Sequence, residues 1–209
     1  AALQQNKQIF DMICPHVKLN AQFNNSFDLP LRFCLRQTDA LRSTETIEWL
    51  LAAGADAQEE DPYDHTQPIH DIACLDTDLA LKKSLVQLFR SKGIRLDTPD
   101  RAGNTLLHHV CKRDNEDKNK TYEFMFYLLD LGADPNVIDR SGQTPFLLFC
   151  SQNRKPTHLR TYIQYYQPAL TIQDHFGNTP LIHAAGQGKK AVELITLLQK
   201  SGAQVHTSA

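Results

Sequence analysis

Short apolar stretches recur along the chain, and three of them follow a polar turn of the form D-x-x-G-x-T. These turns begin at Asp100, Asp139 and Asp174, and the threonine that ends each one opens an apolar stretch of helical character. A second apolar stretch then runs to a glycine, as at 128–132 and 197–202. Glycine closes helices because it tolerates the left-handed backbone conformation found at their C-termini. The pattern predicts units of turn, helix, connector, helix and glycine stop.

Two weaker copies of the turn lie upstream. With Leu29 and Gln67 aligned to Thr105, Thr144 and Thr179, successive copies are separated by 38, 38, 39 and 35 residues. Self-similarity at a period of this size is the sequence signature of repeat architectures. The chain is therefore expected to fold as a series of units that each contact only their neighbours.

The combination of D-x-x-G-x-T-P with L-L-x-x-G-A-D-x-N, at this spacing, resembles the ankyrin repeat. The ankyrin unit is a β-turn and two helices, with T-P-L-H opening the first helix. The resemblance implies an all-α ankyrin-repeat solenoid of helix-turn-helix units with hairpin fingers. It divides the chain into a partial N-terminal repeat or cap at 1–24 and five repeats at 25–60, 61–99, 100–138, 139–173 and 174–209.

Several positions depart from the ankyrin pattern. The units exceed the usual length of about 33 residues, most clearly in the polar connector 112–120, which is either a solvated loop or a second contact site. The first unit has Phe27 at the position of the turn glycine and Arg32 at that of the motif histidine. The second unit has His65 at the glycine position. These two turns depart most from the family pattern.

Composition places the chain among globular proteins and provides no general attraction for polyanions. Of its 209 residues, 41% are hydrophobic and 22% charged, and the net charge is −2. Non-specific binding to nucleic acid or to anionic membranes therefore has no electrostatic basis. No apolar run approaches the roughly 20 residues that a transmembrane helix needs. We expect a protein or peptide partner, no nucleic acid and no membrane, and a chain that is a monomer or part of a larger chain.

The cysteines indicate a compartment and a packing role. Their number, five, is odd, they form no C-x-x-C pair, and the opening segment lacks the apolar core of a secretion signal. These features favour a reducing, intracellular and cytoplasmic location. Cys111 and Cys150 each stand six residues after a motif threonine, at the small-residue position of the first helix, and Cys34 and Cys74 lie within one residue of that phase. All four are predicted to pack in the core.

The sequence predicts no catalytic residue, no metal site and no cofactor. Phosphate-binding, dinucleotide-binding and nucleophile-elbow motifs are absent. His108, His109 and Cys111 are neighbours in sequence, but neither H-E-x-x-H nor a four-ligand spacing accompanies them. The ankyrin resemblance implies instead that His70 and His108 hydrogen-bond between the turns of neighbouring units.

The resemblance also implies a concave binding surface made of turn tips and first helices. The candidate partner-binding residues at these positions are Tyr63, Asp64, Arg101, Asn104, Lys112, Arg113, Arg140, Gln143, Ser151, His175, Phe176 and Asn178. Residues 55–64 are acidic and the region of Arg101 and Arg140 is basic, so we expect a dipolar groove with Tyr63 and Phe176 as aromatic anchors. The other interpretation is that the charged turns are only solvated.

Asn136 stands at a position that is hydroxylated in some ankyrin proteins, which makes it a candidate modification site. The alternative is that its side chain only hydrogen-bonds the turn. The stretched units with Gln and Asn resemble arrays in bacterial effectors that act inside a host cell. Two functions follow: a protein-protein interaction module, or the targeting or regulatory region of a larger enzyme, such as a secreted effector in the host cytoplasm, whose catalytic domain lies outside this chain.

Overall fold

The structure, a computed structural model, describes residues 30–36, 44–113, 118–152 and 155–204. Within these ranges the chain is helical and has no β-strand, which confirms the all-α fold class. The chain divides into two compact units, unit 1 at Ala1–Ile94 and unit 2 at Arg95–Ala209. The predicted partial repeat at 1–24, Phe27 in the first turn and residues 114–117 of the polar connector lie outside the described residues.

Short and longer helices alternate in both units. The described part of unit 1 contains α1 Pro30–Arg36, α2 Thr44–Ala52, α3 Pro68–Cys74 and α4 Leu79–Ser91. The described part of unit 2 contains α5 Leu106–Lys112, α6 Lys118–Asp130, α7 Pro145–Ser151, α8 Pro156–Tyr166, α9 Pro180–Ala185 and α10 Ala191–Lys200, with a 3-10 turn at Gly188–Lys190. The short helices are the predicted first helices. None of the helices in these ranges is both long and apolar enough to cross a lipid bilayer.

The first helices begin at the motif threonines. The Oγ1 atoms of Thr144 and Thr179 accept the N–H groups of Leu147 and Ile182, at 3.2 and 3.4 Å. A proline follows each threonine, at a position where the missing N–H would have no helical partner. These contacts explain why T-P predicts the start of a helix.

Glycine ends the second helices α2, α4, α6 and α10, as predicted, whereas α8 is followed by Gln167, which has a φ of 45°. After α6, Gly132 has a φ of 91° and its N–H donates to the carbonyl of Leu129 at 2.9 Å. The next N–H, that of Ala133, donates to the carbonyl of Leu128 at 3.1 Å. The left-handed glycine thus satisfies carbonyls that would otherwise have no partner at the helix end.

The core of unit 2 contains an aromatic cluster and two cysteines. The ring of Tyr162 on α8 lies edge-on to those of Phe146 and Phe149 on α7, with ring centroids 5.1 and 5.2 Å apart. All three residues are fully buried. Cys111 and Cys150 are buried as well, as predicted, and burial raises the pKa of the Cys150 thiol. Both thiols are fillers between helices.

The prediction of core packing was wrong for two other cysteines. Cys34 is half-buried and Cys74 is exposed. Each stands one residue away from the phase that Cys111 and Cys150 share. A one-residue offset turns a side chain by about 100° around the helix, which moves it away from the buried face.

Candidate binding surface

Three turns of unit 2 are built alike around an aspartate. In the first, the N–H of Asp100 donates to the carbonyl of Asn104 at 2.9 Å. The Oδ1 atom of Asp100 accepts the N–H groups of Ala102 and Asn104, at 2.9 and 2.7 Å. Asp139 and Asp174 make the same contacts in the next two turns. The aspartate side chain therefore points into the turn and holds its shape.

Main-chain hydrogen bonds join these turns to one another. The N–H of Arg140 donates to the carbonyl of Ala102 at 2.8 Å, and the N–H of His175 donates to the carbonyl of Ser141 at 2.9 Å. The second residue of each of these turns is thus fixed beside the third residue of the turn before it. We call residues 100–104, 139–143 and 174–178 together the turn row.

His108 connects the first helix of one repeat to the turn of the next. Its Nε2 donates to the carbonyl oxygen of Gln143 at 3.2 Å, while its Nδ1 accepts the N–H of Thr105 at 3.1 Å. This confirms the structural role predicted for His108. Burial disfavours the charged imidazole and lowers the pKa of His108 to about 4, although the bond to Gln143 and the charge of Asp139 act in the opposite direction. The ring is therefore neutral at neutral pH.

Two of the turn aspartates pair with a histidine nine residues later. Oδ2 of Asp100 lies 2.9 Å from Nε2 of His109, and Oδ2 of Asp174 lies 2.9 Å from Nε2 of His183. The aspartate side chains are 6% and 1% exposed. Burial acts to raise the pKa of both carboxyls, but hydrogen bonds from the turn and from the histidine outweigh it, so the pKa of each lies below its usual value. Both carboxylates are satisfied inside unit 2.

Asp139 obtains its base from the preceding repeat. The position nine residues later is Leu148, which is buried, and Nζ of Lys112 on α5 lies 3.4 Å from Oδ2 of Asp139 instead. Lys112 also donates to the side-chain oxygen of Asn104. Asn104, predicted as a contact residue, is only 6% exposed, and its side-chain nitrogen donates to Oδ2 of Asp100 at 3.1 Å while its oxygen accepts from Lys112, so its polar atoms are engaged within unit 2.

The other predicted residues of unit 2 differ in exposure. The side chain of Phe176 is among the most exposed of the large apolar ones, at 83%. The exposed cationic or titratable residues are Arg101, Lys112, Arg140 and His175. The half-buried residues are Arg113, Gln143, Ser151 and Asn178. The turn row thus presents bases and one aromatic ring to solvent.

Unit 1 contains one described turn, and it is one residue longer. The N–H of Asp61 donates to the carbonyl of Thr66, and that of His65 donates to the carbonyl of Asp61, both at 2.9 Å. His65 has a φ of 54°, the conformation expected at the position where the other turns have glycine. Tyr63 is 63% exposed and Asp64 is exposed. The carboxylate of Asp64 accepts the N–H and the hydroxyl of Thr66, so it is partly engaged in its own turn.

Arg32, which replaces the motif histidine of the first repeat, is 2% exposed. Its Nη1 donates to the carbonyl of Thr66 at 3.1 Å, the position in the next turn that the motif histidine reaches in unit 2. Its Nε donates to Oδ2 of Asp71 at 2.8 Å, and Arg36 donates to Oδ1 of the same carboxylate at 3.1 Å. Sequence analysis found the substitution but missed this network. Asp71, an acid within the apolar helix α3, was the available signal.

Asn136 joins two loops of unit 2. It is exposed, and its Oδ1 accepts the N–H of Ala169 at 2.7 Å. Its own N–H donates to Oδ1 of Asp134 at 2.8 Å. These contacts confirm the hydrogen-bonding interpretation, and hydroxylation of Asn136 stays a prediction.

His108, His109 and Cys111 do not converge on one site. His108 faces the carbonyl of Gln143, His109 faces the carboxylate of Asp100, and Cys111 is buried in the core. Across the part of the chain that the structure describes, no group of three His, Cys, Asp or Glu side chains is placed to hold a metal ion. The three residues are neighbours in sequence because each fills a position of the repeat.

Known proteins resemble parts of this sequence. A protein-family model described as ankyrin repeats (3 copies) matches residues 117–209. Over 116 residues the chain is 29% identical to an ankyrin repeat protein of Variola virus, a match that covers 55% of this chain and 20% of the viral protein. Over 98 residues it is 31% identical to an ankyrin repeat protein of Rickettsia bellii, covering 46% of this chain and 50% of that protein. The chain spans between a fifth and half of the length of these relatives.

The fold has a counterpart among crystal structures. An ankyrin repeat domain from Acinetobacter baumannii AYE matches 98% of this chain with 96% of its own, at a TM-score of 0.72 and 20% sequence identity. At this level of sequence identity, the match shows only that the two folds are alike. The chain therefore contains ankyrin repeats, recognised by sequence over residues 117–209 and by fold over almost its whole length.

Proposed function

We propose that this chain is a protein-protein interaction module and that the turn row of unit 2 binds the partner. Ankyrin repeats in general are protein-protein interaction modules, and their fold is typically non-catalytic. Repeat arrays bind through surfaces that successive units build together. The turn row has this property, because each repeat contributes one turn to it.

The observation that supports this surface most is the exposure of Phe176 on a fixed backbone. The ring is 83% exposed, and the turn that carries it is tied to the preceding turn by the N–H of His175. Covering a large apolar side chain contributes about 2 kcal/mol. Because the turn is already ordered, little of this gain is lost to immobilising the backbone on binding. An exposed aromatic residue on a preorganised turn is typical of a binding hot spot.

The turn of unit 1 offers a separate contact of the same kind. Tyr63 is 63% exposed at its tip, beside the exposed carboxylate of Asp64. Oε2 of Glu60, beside this turn, lies 2.7 Å from Nδ1 of His65. This turn carries exposed acidic side chains, whereas the turn row of unit 2 carries exposed bases, so the two surfaces favour ligands of different charge.

The test compares three aromatic-to-alanine variants of the immobilised chain in affinity capture followed by quantitative mass spectrometry. Phe176→Ala and Tyr63→Ala each remove one ring from a turn tip. Tyr165→Ala is the matched control, because Tyr165 is 68% exposed on the second helix α8, outside the turns. We expect partners that the wild type and Tyr165→Ala retain and that Phe176→Ala loses. Far-ultraviolet circular dichroism verifies that each variant is folded. Identical captured proteins for all four chains would contradict the proposal.

A second candidate is the targeting or regulatory region of a larger enzyme. The observation that favours it is the length of the relatives, of which the matching region is 20% and 50%. In that case the array binds the protein to which a catalytic domain is delivered. The full-length reading frame that encodes this chain tests the candidate. A catalytic motif encoded before residue 1 or after residue 209 would support it, and a frame without such a motif would contradict it.

A further inference from the structure

Each turn of unit 2 has an acid next to a base in sequence, and the structure separates the two. The pairs are Asp100-Arg101, Asp139-Arg140 and Asp174-His175. The aspartate side chains are 6%, 3% and 1% exposed. The residue that follows each aspartate is exposed. The carboxylates are therefore withdrawn from the surface, while the side chains of Arg101, Arg140 and His175 lie on it.

The buried carboxylates are compensated within unit 2. Each turn aspartate accepts two backbone N–H groups through one oxygen. The other oxygen faces His109, Lys112 or His183. Carboxylates held in this way have both oxygens engaged and lie below the surface, so they are not available to a ligand. The charged groups that the turn row presents to solvent are the guanidinium groups of Arg101 and Arg140.

The positive groups are ordered in register. The bond from the N–H of Arg140 to Ala102 and that from the N–H of His175 to Ser141 join the same two positions each time, the second residue of one turn and the third residue of the turn before it, so successive turns follow one another in a constant register. Arg101 and Arg140 therefore occupy the same place in adjacent turns, and the third turn has His175 there and the exposed ring of Phe176 next to it. The row runs from two guanidinium groups to an aromatic ring.

From this register we infer that the turn row binds an acidic, extended peptide segment of the partner, with carboxylates facing Arg101 and Arg140 and an apolar side chain covering Phe176. The inference rests on the proposed function and specifies the partner of that same surface. Guanidinium groups bind carboxylates through two parallel hydrogen bonds, which suits a segment with acidic side chains at intervals. A peptide is favoured over nucleic acid because the bases are few and the net charge of the chain is −2.

The test is an unbiased selection from a random-peptide phage library on the immobilised chain. The working variant is Arg101→Glu/Arg140→Glu. The matched control is Arg160→Glu/Lys200→Glu, which changes the net charge equally on the exposed faces of the second helices α8 and α10. We expect the wild type and the control to enrich peptides rich in Asp and Glu that contain an apolar residue. The working variant should bind these peptides about tenfold more weakly, and the difference should shrink at high salt.

Each other outcome rejects a different statement. If the selected peptides have no acidic bias but bind Phe176→Ala more weakly than the wild type, the inference of an acidic segment is wrong and the proposed function still holds. Peptides that bind all variants equally would overturn both. A fluorescein-labelled single-stranded oligonucleotide is measured in parallel by polarisation. Saturable binding of that probe to the wild type and its loss in the working variant would replace the peptide by nucleic acid.

Discussion

Gly142 lies against the next turn, and an alanine there tests whether the turn row is held together as described. Gly142 has a φ of 75°, a conformation that other residues rarely adopt. A Cβ atom at this position would lie 2.9 Å from the backbone nitrogen of His175 and 2.7 Å from Cδ2 of its ring. The backbone cannot rotate away as a side chain can. The substitution must therefore displace the N–H that donates to Ser141.

Gly177 provides the matched comparison, since it occupies the same place in the next turn with a φ of 78°. A Cβ atom there meets no heavy atom of the described residues within 4 Å. Strain from the positive φ is common to both alanine variants and costs about 1 kcal/mol. Overpacking adds about 2 kcal/mol at Gly142 only. We expect Gly177→Ala to lower the free energy of unfolding by about 1 kcal/mol and Gly142→Ala by about 3 kcal/mol.

Equilibrium urea unfolding, followed by far-ultraviolet circular dichroism, measures both losses. Gly103→Ala gives an intermediate point, because its Cβ would lie 3.0 Å from Cα of Asp139 and 3.1 Å from the nitrogen of Arg140. The order of destabilisation should follow these distances. Equal losses for Gly142→Ala and Gly177→Ala would refute the contact between turns as a source of stability.

Two further predictions concern buried charge. His108 has a pKa of about 4 when folded and 6.5 as its ordinary value, so the unfolded chain binds the proton first as the pH falls. Lowering the pH from about 7.5 to about 5 should therefore reduce the free energy of unfolding by about 2 kcal/mol through His108. In urea unfolding, the His108→Gln variant should lack this part of the pH dependence. The same pH dependence in the variant and the wild type would contradict the prediction. Arg32→Ala leaves buried Asp71 with Arg36 alone and should cost about 3 kcal/mol. Arg36→Ala, at a side chain 41% exposed, should cost about 1 kcal/mol or less, and equal losses in thermal unfolding would contradict this reading of the network.

The sequence was sufficient for those features that a local backbone requirement dictates. Thr144 and Thr179 start helices because a hydroxyl and a following proline satisfy the first turn of a helix wherever it packs. Gly132 ends a helix because glycine adopts a positive φ without steric cost. His65 could be assigned to the glycine position from its place in the repeat, and its φ of 54° agrees with that assignment.

Side-chain partners from another repeat could not be predicted in this way. Lys112 pairs with Asp139, 27 residues away, because Leu148 stands where the other turns have histidine. Arg32 reaches Asp71 across 39 residues. Asn104 has the polar side chain expected of a contact residue, but it is buried between Asp100 of its own turn and Lys112. Such contacts depend on how successive repeats stack, which a repeat period does not specify.

In the binding surface that we propose, stability and partner choice reside in different positions of the same turn. The aspartate, the glycine and the residue after it are engaged by hydrogen bonds and close contacts, as at Asp139 and Gly142. The two positions between them use only their backbone to join the turns, so their side chains are left to solvent, as at Arg140 and Ser141. Such side chains can vary at little cost in folding free energy. The inward aspartates fix the shape of each turn, the backbone bonds between turns fix the register, and the outward residues determine the charge and the aromatic content displayed along it.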